Sequence, residues 1–193
     1  MPSLDHDFGR LQQRLNEGFR LRDTGDDPVY YMVFEPSAML EAKRKLTTWK
    51  SKLELDGWTV HIFSMSEVIH DVFQHHPLRK FWLSEEKRTP LDFNTINKTL
   101  SEALGSQQVL DSRMRKQQEA LADEDSGLML ITDLEALHPY ARIGGIESRL
   151  QGEFTVPTVI LYPGTRHGEH KLSFLDIYPP DGNYRSVHIG GTS

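Results

Sequence analysis

The sequence predicts an α/β protein in which helices flank a mainly parallel sheet. Three observations predict this class. A strand, a helix and a second strand follow one another between residues 29 and 63. Two later apolar runs, residues 127–132 and 157–162, are unbroken, which is typical of strands covered on both faces. Helical spacing recurs between these runs. A strand–helix–strand unit of this kind requires parallel strands.

The N-terminal segment predicts an amphipathic helix that leads to the first strand. Its apolar residues recur at steps of three and four, on one stripe of a helix: Leu4, Phe8, Leu11, Leu15 and Phe19. The polar run at residues 23–28 ends this helix, because it contains Gly25 and several acidic residues. The apolar and aromatic run at residues 29–34 then predicts a buried strand.

The next elements complete the strand–helix–strand unit. Residues 39–53 carry a second helical stripe, whose basic residues between Lys43 and Lys52 are interpreted as a solvated helix face. Residues 58–63 predict the second strand. Ser64 is followed three residues later by Glu67, a capping-box signature for the helix that comes next.

Residues 78–125 differ in composition and predict a helical insertion, rich in Lys, Arg, Glu and Gln. Phe81 and Trp82 are expected to be exposed there. They are candidates for partner binding, because aromatic side chains concentrate binding energy at interfaces. Phe93 is instead expected to close the insertion onto the core.

The C-terminal part predicts a short helix at residues 143–150, between the two apolar strands. Residues 171–178 and 184–189 are joined by a loop of turn-forming residues, which favours an antiparallel hairpin at a sheet edge over residues 171–189. The resulting architecture is Rossmann-like or degenerate P-loop-like, with a C-terminal hairpin and a helical insertion.

Length and composition favour one globular domain over residues 1–193, since 37% of the residues are hydrophobic and 26% are charged. The net charge of −6 offers no attraction to a phosphate backbone, so we expect no high-affinity nucleic-acid binding. The lack of cysteine excludes disulfides, thiolate metal sites and cysteine nucleophiles. No apolar run has the length of a membrane span or a signal peptide, so the expected location is the cytoplasm.

The sequence contains no complete catalytic motif. Residues 128–135 look like the strand that ends in a magnesium-binding acid, here Asp133, in nucleotide hydrolases. The loop pattern GxxxxGK[ST] is absent, however, and the first strand is followed by Glu35 and Pro36, which repel phosphate and remove an amide donor. Dinucleotide, HExxH and GxSxG patterns are also absent. We therefore predict no enzymatic activity, cofactor or metal, and interpret Asp133 as a polar residue that ends a core strand.

Polar and aromatic residues nevertheless follow two of the predicted strands. One group comprises Asp133, His138, Tyr140 and Arg142, and the other comprises Tyr162, Gly164 and Arg166. Ligands of open α/β sheets bind beyond the carboxyl ends of the strands, so these residues are candidates for partner or ligand binding. Turn formation accounts better for Pro163 and Gly164. For Tyr140 and Arg142, turn formation and binding explain the sequence equally well.

The C-terminal part of the chain resembles the BrxB family of bacteriophage-exclusion (BREX) systems. The similarity lies in Tyr162-Pro163-Gly164, followed by Gly168, Leu172 and Phe174 and then by Asn183-Tyr184-Arg185. The order of the preceding elements is similar as well. This resemblance adds Tyr184 and Arg185 to the binding candidates.

The resemblance implies a cytoplasmic protein without enzymatic activity, which acts beside a PglZ-like protein of the phosphatase superfamily, a methyltransferase and a large ATPase. The leading hypothesis is a non-catalytic adaptor or scaffold that binds other defence proteins, first of all the PglZ-like one. The alternative is a degenerate nucleotide-binding P-loop-like domain with a regulatory role. The negative charge disfavours a nucleic-acid-binding module.

Overall fold

A central sheet lies between two helical layers in the computed structural model, which describes residues 3–19, 27–105, 108–168, 171–182 and 186–191. Its strands are β1 (Val29–Phe34), β2 (Thr59–Ser64), β3 (Gly127–Thr132), β4 (Thr158–His167), β5 (Lys171–Phe174) and β6 (Val187–Gly190). The order is β2-β3-β4-β1-β6, and all neighbours along it are parallel. This confirms the predicted α/β class.

Seven helices are described around this sheet. They are α1 (Leu4–Phe19), α2 (Met39–Leu55), α3 (Met65–His75), α4 (Arg79–Arg88), α5 (Phe93–Gly105), α6 (Val109–Ala122) and α7 (Ile143–Arg149). Short 3₁₀ turns, Pro36–Ala38 and Leu134–Leu137, follow β1 and β3. Among the described residues, no helix combines the length and the apolarity that a membrane crossing requires.

Each face of the sheet has its own apolar core, because successive strand residues point to opposite faces. Met32, Leu130 and Leu161 pack with α1 and α2, where the rings of Phe8 and Trp49 stack with centroids 5.0 Å apart. On the other face the strands pack with α3, α5, α6 and α7. The buried residues Leu4, Phe8, Leu11 and Leu15 confirm the stripe predicted for the first helix. The side chain of Phe19 lies outside the described residues.

The predicted insertion, residues 78–125, is helical, but its last helix belongs to the core. Met114 and Leu121 of α6 are buried against the sheet. Gln118, also buried, donates a hydrogen bond to the Thr158 hydroxyl at 2.6 Å and accepts two from backbone N–H groups. The expectation that residues 78–125 stand apart from the core is therefore wrong for α6. α6 has few apolar residues, and the polar Gln118 makes part of its contact with the sheet.

The C-terminal strands also pair differently from the predicted hairpin of residues 171–189. β5 pairs antiparallel with the carboxyl half of β4, and β6 joins the edge of the sheet parallel to β1. Within the described residues, an isolated bridge joins Leu172 to Asp181, which belongs to the predicted loop and not to the predicted second strand. The edge position of β6 is confirmed, whereas its predicted pairing partner is wrong.

Gly164 explains this difference. The interpretation of Pro163 and Gly164 as a turn is wrong, because β4 continues through both residues. A Cβ atom on Gly164 would lie 2.0 Å from the carbonyl oxygen of Ser173. Glycine is thus required here for the close approach of β5 and not for a turn.

Candidate functional site

A groove opens at the carboxyl ends of β1, β3 and β4, beside α2. The space between its lining residues is about 330 Å³, including the part that is open to solvent. Apolar side chains line one part, namely Phe34, Met39, Ala42, Leu46 and Leu161, and the remainder is lined by Lys43, Thr132, Asp133 and Glu135. The chain leaves β1 toward α2 on one face of the sheet and leaves β3 toward α7 on the other. Open α/β sheets bind ligands where the connections diverge in this way.

Asp133 is engaged through both carboxylate oxygens. Its Oδ1 lies 2.8 Å from the Lys43 ammonium, and its Oδ2 accepts hydrogen bonds from the hydroxyls of Ser64, at 2.7 Å, and Thr132, at 2.9 Å. The backbone of Asp133 is left-handed, with φ of 57°. Burial opposes ionisation, but the hydrogen bonds from Lys43, Ser64 and Thr132 outweigh it and hold the pKa of Asp133 below its ordinary value. This carboxylate is satisfied within the protein, which supports its interpretation as a residue that ends a core strand.

Lys43 is the residue of this groove that the sequence analysis missed. Its ammonium also lies 2.5 Å from Glu135, and the hydrogen bonds to Asp133 and Glu135 raise the pKa of Lys43. Lys43 lies on an exposed face of α2, as expected, but its ion pairs also join α2 to the end of β3. Only its position on the first turns of the helix after β1 could have indicated this. Ser64 was identified as a helix cap, and its Oγ does accept a hydrogen bond from the Glu67 amide.

His138 and Arg142 meet at Tyr178, a residue that the sequence analysis did not single out. The Arg142 guanidinium lies over the ring of Tyr178, and the Tyr178 hydroxyl makes a hydrogen bond with Nδ1 of His138. The ring also stacks on Phe174, with centroids 6.2 Å apart. The Nη1 atom of Arg142 is buried and has no hydrogen-bond partner. A cation, an imidazole and a phenol thus converge on one side of the molecule.

Tyr140 lies near this group but packs in another direction. Its ring is edge-on to Phe73, with centroids 5.6 Å apart, and its carbonyl accepts a hydrogen bond from the Ser101 hydroxyl at 2.7 Å. Burial raises the pKa of Tyr140, so its phenol stays neutral at ordinary pH. These contacts join the loop after β3 to α3 and α5.

The candidate residues on β4 make contacts within the fold. Tyr162 is buried, with its ring against Tyr31 at 5.6 Å and Phe174 at 5.5 Å between centroids. Gly164 permits the contact of β4 with β5, and Arg166 donates a hydrogen bond to the His188 carbonyl at 3.3 Å. Tyr184 and Arg185 lie outside the described residues.

The aromatic residues of the predicted insertion divide into buried and exposed ones. Trp82 is only 6% exposed, because its ring stacks on His76 at 4.2 Å and meets Phe73 edge-on at 6.2 Å. The expectation that Trp82 is exposed is therefore wrong. Phe81 is 61% exposed, as predicted. Phe93 is 63% exposed, so the expectation that it closes onto the core is also wrong.

Further apolar residues share the exposure of Phe81 and Phe93. We call residues 78–93 the apolar segment, because they hold five large exposed hydrophobic side chains: Leu78, Phe81, Leu83, Leu91 and Phe93. In the described part of the chain, the other exposed side chains of this kind are scattered over α2, β2, the loop after β5 and β6. Grouped exposed apolar residues mark interaction surfaces more often than scattered ones do.

Comparisons with known proteins give one match. The family model described as BREX protein BrxB matches residues 61–189. This range includes the apolar segment and the residues that converge on Tyr178. No curated protein and no solved structure matches the chain significantly.

Proposed function

Because the chain belongs to the BrxB family and is thus a component of BREX phage defence, we propose that it is a non-catalytic adaptor. Its role is to bind other proteins of the defence assembly, in the first place the PglZ-like protein. The methyltransferase and the large ATPase are further candidate partners.

The exposed apolar segment is the observation that carries this proposal. Leu78 and Phe81 are three residues apart, at the start of α4, and therefore project from similar sides of the helix. Trp82, the residue after Phe81, is buried and holds α4 against the end of α3 through its contacts with His76 and Phe73. The exposed side chains are thus presented by a helix that is already held in place. Burial of such preorganised aromatic anchors in an interface costs little ordering entropy.

The ion pairs of the strand-end groove support a non-catalytic role. Lys43 is the one cation among the described residues that line this groove, and it is already paired with two carboxylates. A phosphate group would have to compete with Asp133 and Glu135 for this ammonium and would meet their negative charge. The turn after β1 begins with Pro36, which has no amide proton to donate.

Co-purification tests the adaptor role. The tagged wild type, a Phe81→Ser/Phe93→Ser variant and a Leu55→Ser control would each be produced with the neighbouring defence proteins. Leu55 is 87% exposed at the end of α2, outside the apolar segment, so the control removes an exposed apolar side chain of similar kind. We expect the wild type and the control to retain the PglZ-like protein and the double variant to lose it, with unchanged melting temperatures. Retention of every partner by a folded double variant would refute the assignment of the surface.

A further inference from the structure

Arg142 is a partly buried cation for which the described residues provide no counter-ion. It takes part in no ion pair or side-chain hydrogen bond there, and its Nη1 atom is shielded from solvent without an acceptor. Among the described residues, the face of the Tyr178 ring covers its guanidinium. A ring face compensates part of the charge but accepts no directed N–H hydrogen bond of ordinary strength. Buried donors of this kind are rare in folded proteins unless an acceptor joins them.

The acidic residues around α7 cannot supply that acceptor, because they are already engaged elsewhere. Both carboxylate oxygens of Asp111 accept hydrogen bonds from Arg149, at 2.5 and 2.9 Å. Glu147 accepts hydrogen bonds from the hydroxyls of Tyr31 and Ser186. The counter-charge for Arg142 therefore has to come from outside these residues.

Tyr178 covers the guanidinium from a short loop after β5. The loop begins with Leu175 and Asp176, which have φ of 56° and 52°, a left-handed conformation that costs energy in residues other than glycine. It is held by a hydrogen bond from the Thr165 hydroxyl to Asp176, at 2.8 Å, and by the contact of Tyr178 with His138. Backbone hydrogen bonds from Leu175 to the Pro163 carbonyl and from Tyr178 to the Phe174 carbonyl also hold the loop, and both side chains pack against the core. Rotation of the Tyr178 side chain alone would uncover the guanidinium, with loss of its contacts with His138 and Phe174.

We propose that Arg142 is the base of an oxyanion-binding site that Tyr178 covers in this structure, and that the site takes a carboxylate or phosphate group. The guanidinium supplies two parallel N–H donors, which match two oxygens of such a group. His138 lies beside it and becomes available as a further polar partner when its hydrogen bond with Tyr178 opens. This site goes beyond the adaptor role, since it does not depend on the apolar segment.

The test measures anion binding to the full chain by calorimetry, with inorganic phosphate in one arm and acetate in the other, at constant ionic strength. Four proteins are compared: the wild type, Tyr178→Ala, Arg142→Gln and Arg88→Gln. Arg88 is an exposed arginine paired with Glu85, so it controls for the general loss of one positive charge. Removal of the cover should strengthen binding, and removal of the guanidinium should weaken it by about tenfold or more, as expected for one lost charge-assisted hydrogen bond.

The proposal is supported if Tyr178→Ala binds either anion more tightly than the wild type and Arg142→Gln binds it more weakly by about tenfold or more, whereas Arg88→Gln behaves as the wild type. The stronger of the two arms identifies the anion class. If Arg142→Gln does not fold, Arg142→Lys replaces it, and this variant should bind more weakly because it keeps the charge but loses the paired donors. Absence of anion binding in both the wild type and Tyr178→Ala would overturn the proposal. Equal binding by a folded Arg142 variant would do the same.

Discussion

The ammonium of Lys43 lies 2.8 Å from Oδ1 of Asp133 and thereby joins α2, which follows β1, to the end of β3. The same carboxylate accepts hydrogen bonds from the hydroxyls of Ser64 and Thr132, which lie at the ends of two neighbouring strands. One residue thus connects β2, β3 and α2 at the edge of the sheet where open α/β proteins bind their ligands. In this protein, the ion pair of Lys43 with Asp133 lies at that edge.

Substitution Asp133→Ala should destabilise the fold. It leaves the Ser64 and Thr132 hydroxyls without their acceptor and Lys43 with Glu135 alone, and we expect a loss of about 1–3 kcal/mol. Asp133→Asn keeps an acceptor oxygen and should lose less. Chemical denaturation of both variants checks this order, and equal stability of Asp133→Ala and the wild type would show that the network contributes nothing.

Nucleotide binding distinguishes the adaptor from the alternative, a degenerate P-loop-like domain. We expect no magnesium-dependent ATP binding by calorimetry, because Lys43 is surrounded by two carboxylates and the turn after β1 lacks a glycine cradle. The Lys43→Ala variant serves as the control. Micromolar ATP affinity that disappears in this variant would favour the alternative function.

The stability contributed by Glu147 should depend on pH in the opposite direction to that contributed by Asp133. Burial raises the pKa of Glu147, and the hydrogen bonds from Ser186 and Tyr31 offset this only in part. The folded state therefore holds the proton more tightly than the unfolded chain does. This contribution to stability is present below the unfolded pKa, about 4.3, and is lost as pH rises through the higher folded value.

The Glu147→Gln variant isolates this contribution, because it cannot ionise. Relative to the variant, the wild type should lose stability as pH rises above about 4.3. Denaturation of both proteins at a series of pH values measures the difference. The prediction fails if the difference between them stays constant or changes in the other direction. The pKa of Asp133 is lowered in the folded state, so the stability that this carboxylate contributes is lost as pH falls.

Phe81 and Trp82 are adjacent in sequence but should respond differently to substitution. Trp82→Ala removes a buried ring that joins α4 to α3, and it should cost about 3 kcal/mol. Phe81→Ala removes an exposed ring and should change stability by no more than about 0.5 kcal/mol. Thermal and chemical denaturation of the two variants tests this contrast. Equal destabilisation would mean that Phe81 is packed and not available to a partner.

The element pattern was readable from the sequence wherever a local rule applied. The apolar stripe of α1, the Ser64 cap and the covered strands β1, β3 and β4 all follow from residues a few positions apart. The pairing of the C-terminal strands did not follow, because residues 163 and 164 are compatible with a turn as well as with an extended strand. Only the position of Ser173 beside Gly164 selects the strand.

The sequence by itself determined the α/β class, the positions of most helices and strands, and the family resemblance. Tertiary structure alone decided that Lys43 meets Asp133, that Arg142 lies under Tyr178, and that Trp82 is buried while Phe81 is exposed. The physical reason is that apolar spacing encodes which side of an element is buried but not which element covers it. Polar contacts between distant residues depend on that choice, because a side chain finds its charge partner or ring partner only after the layers have packed.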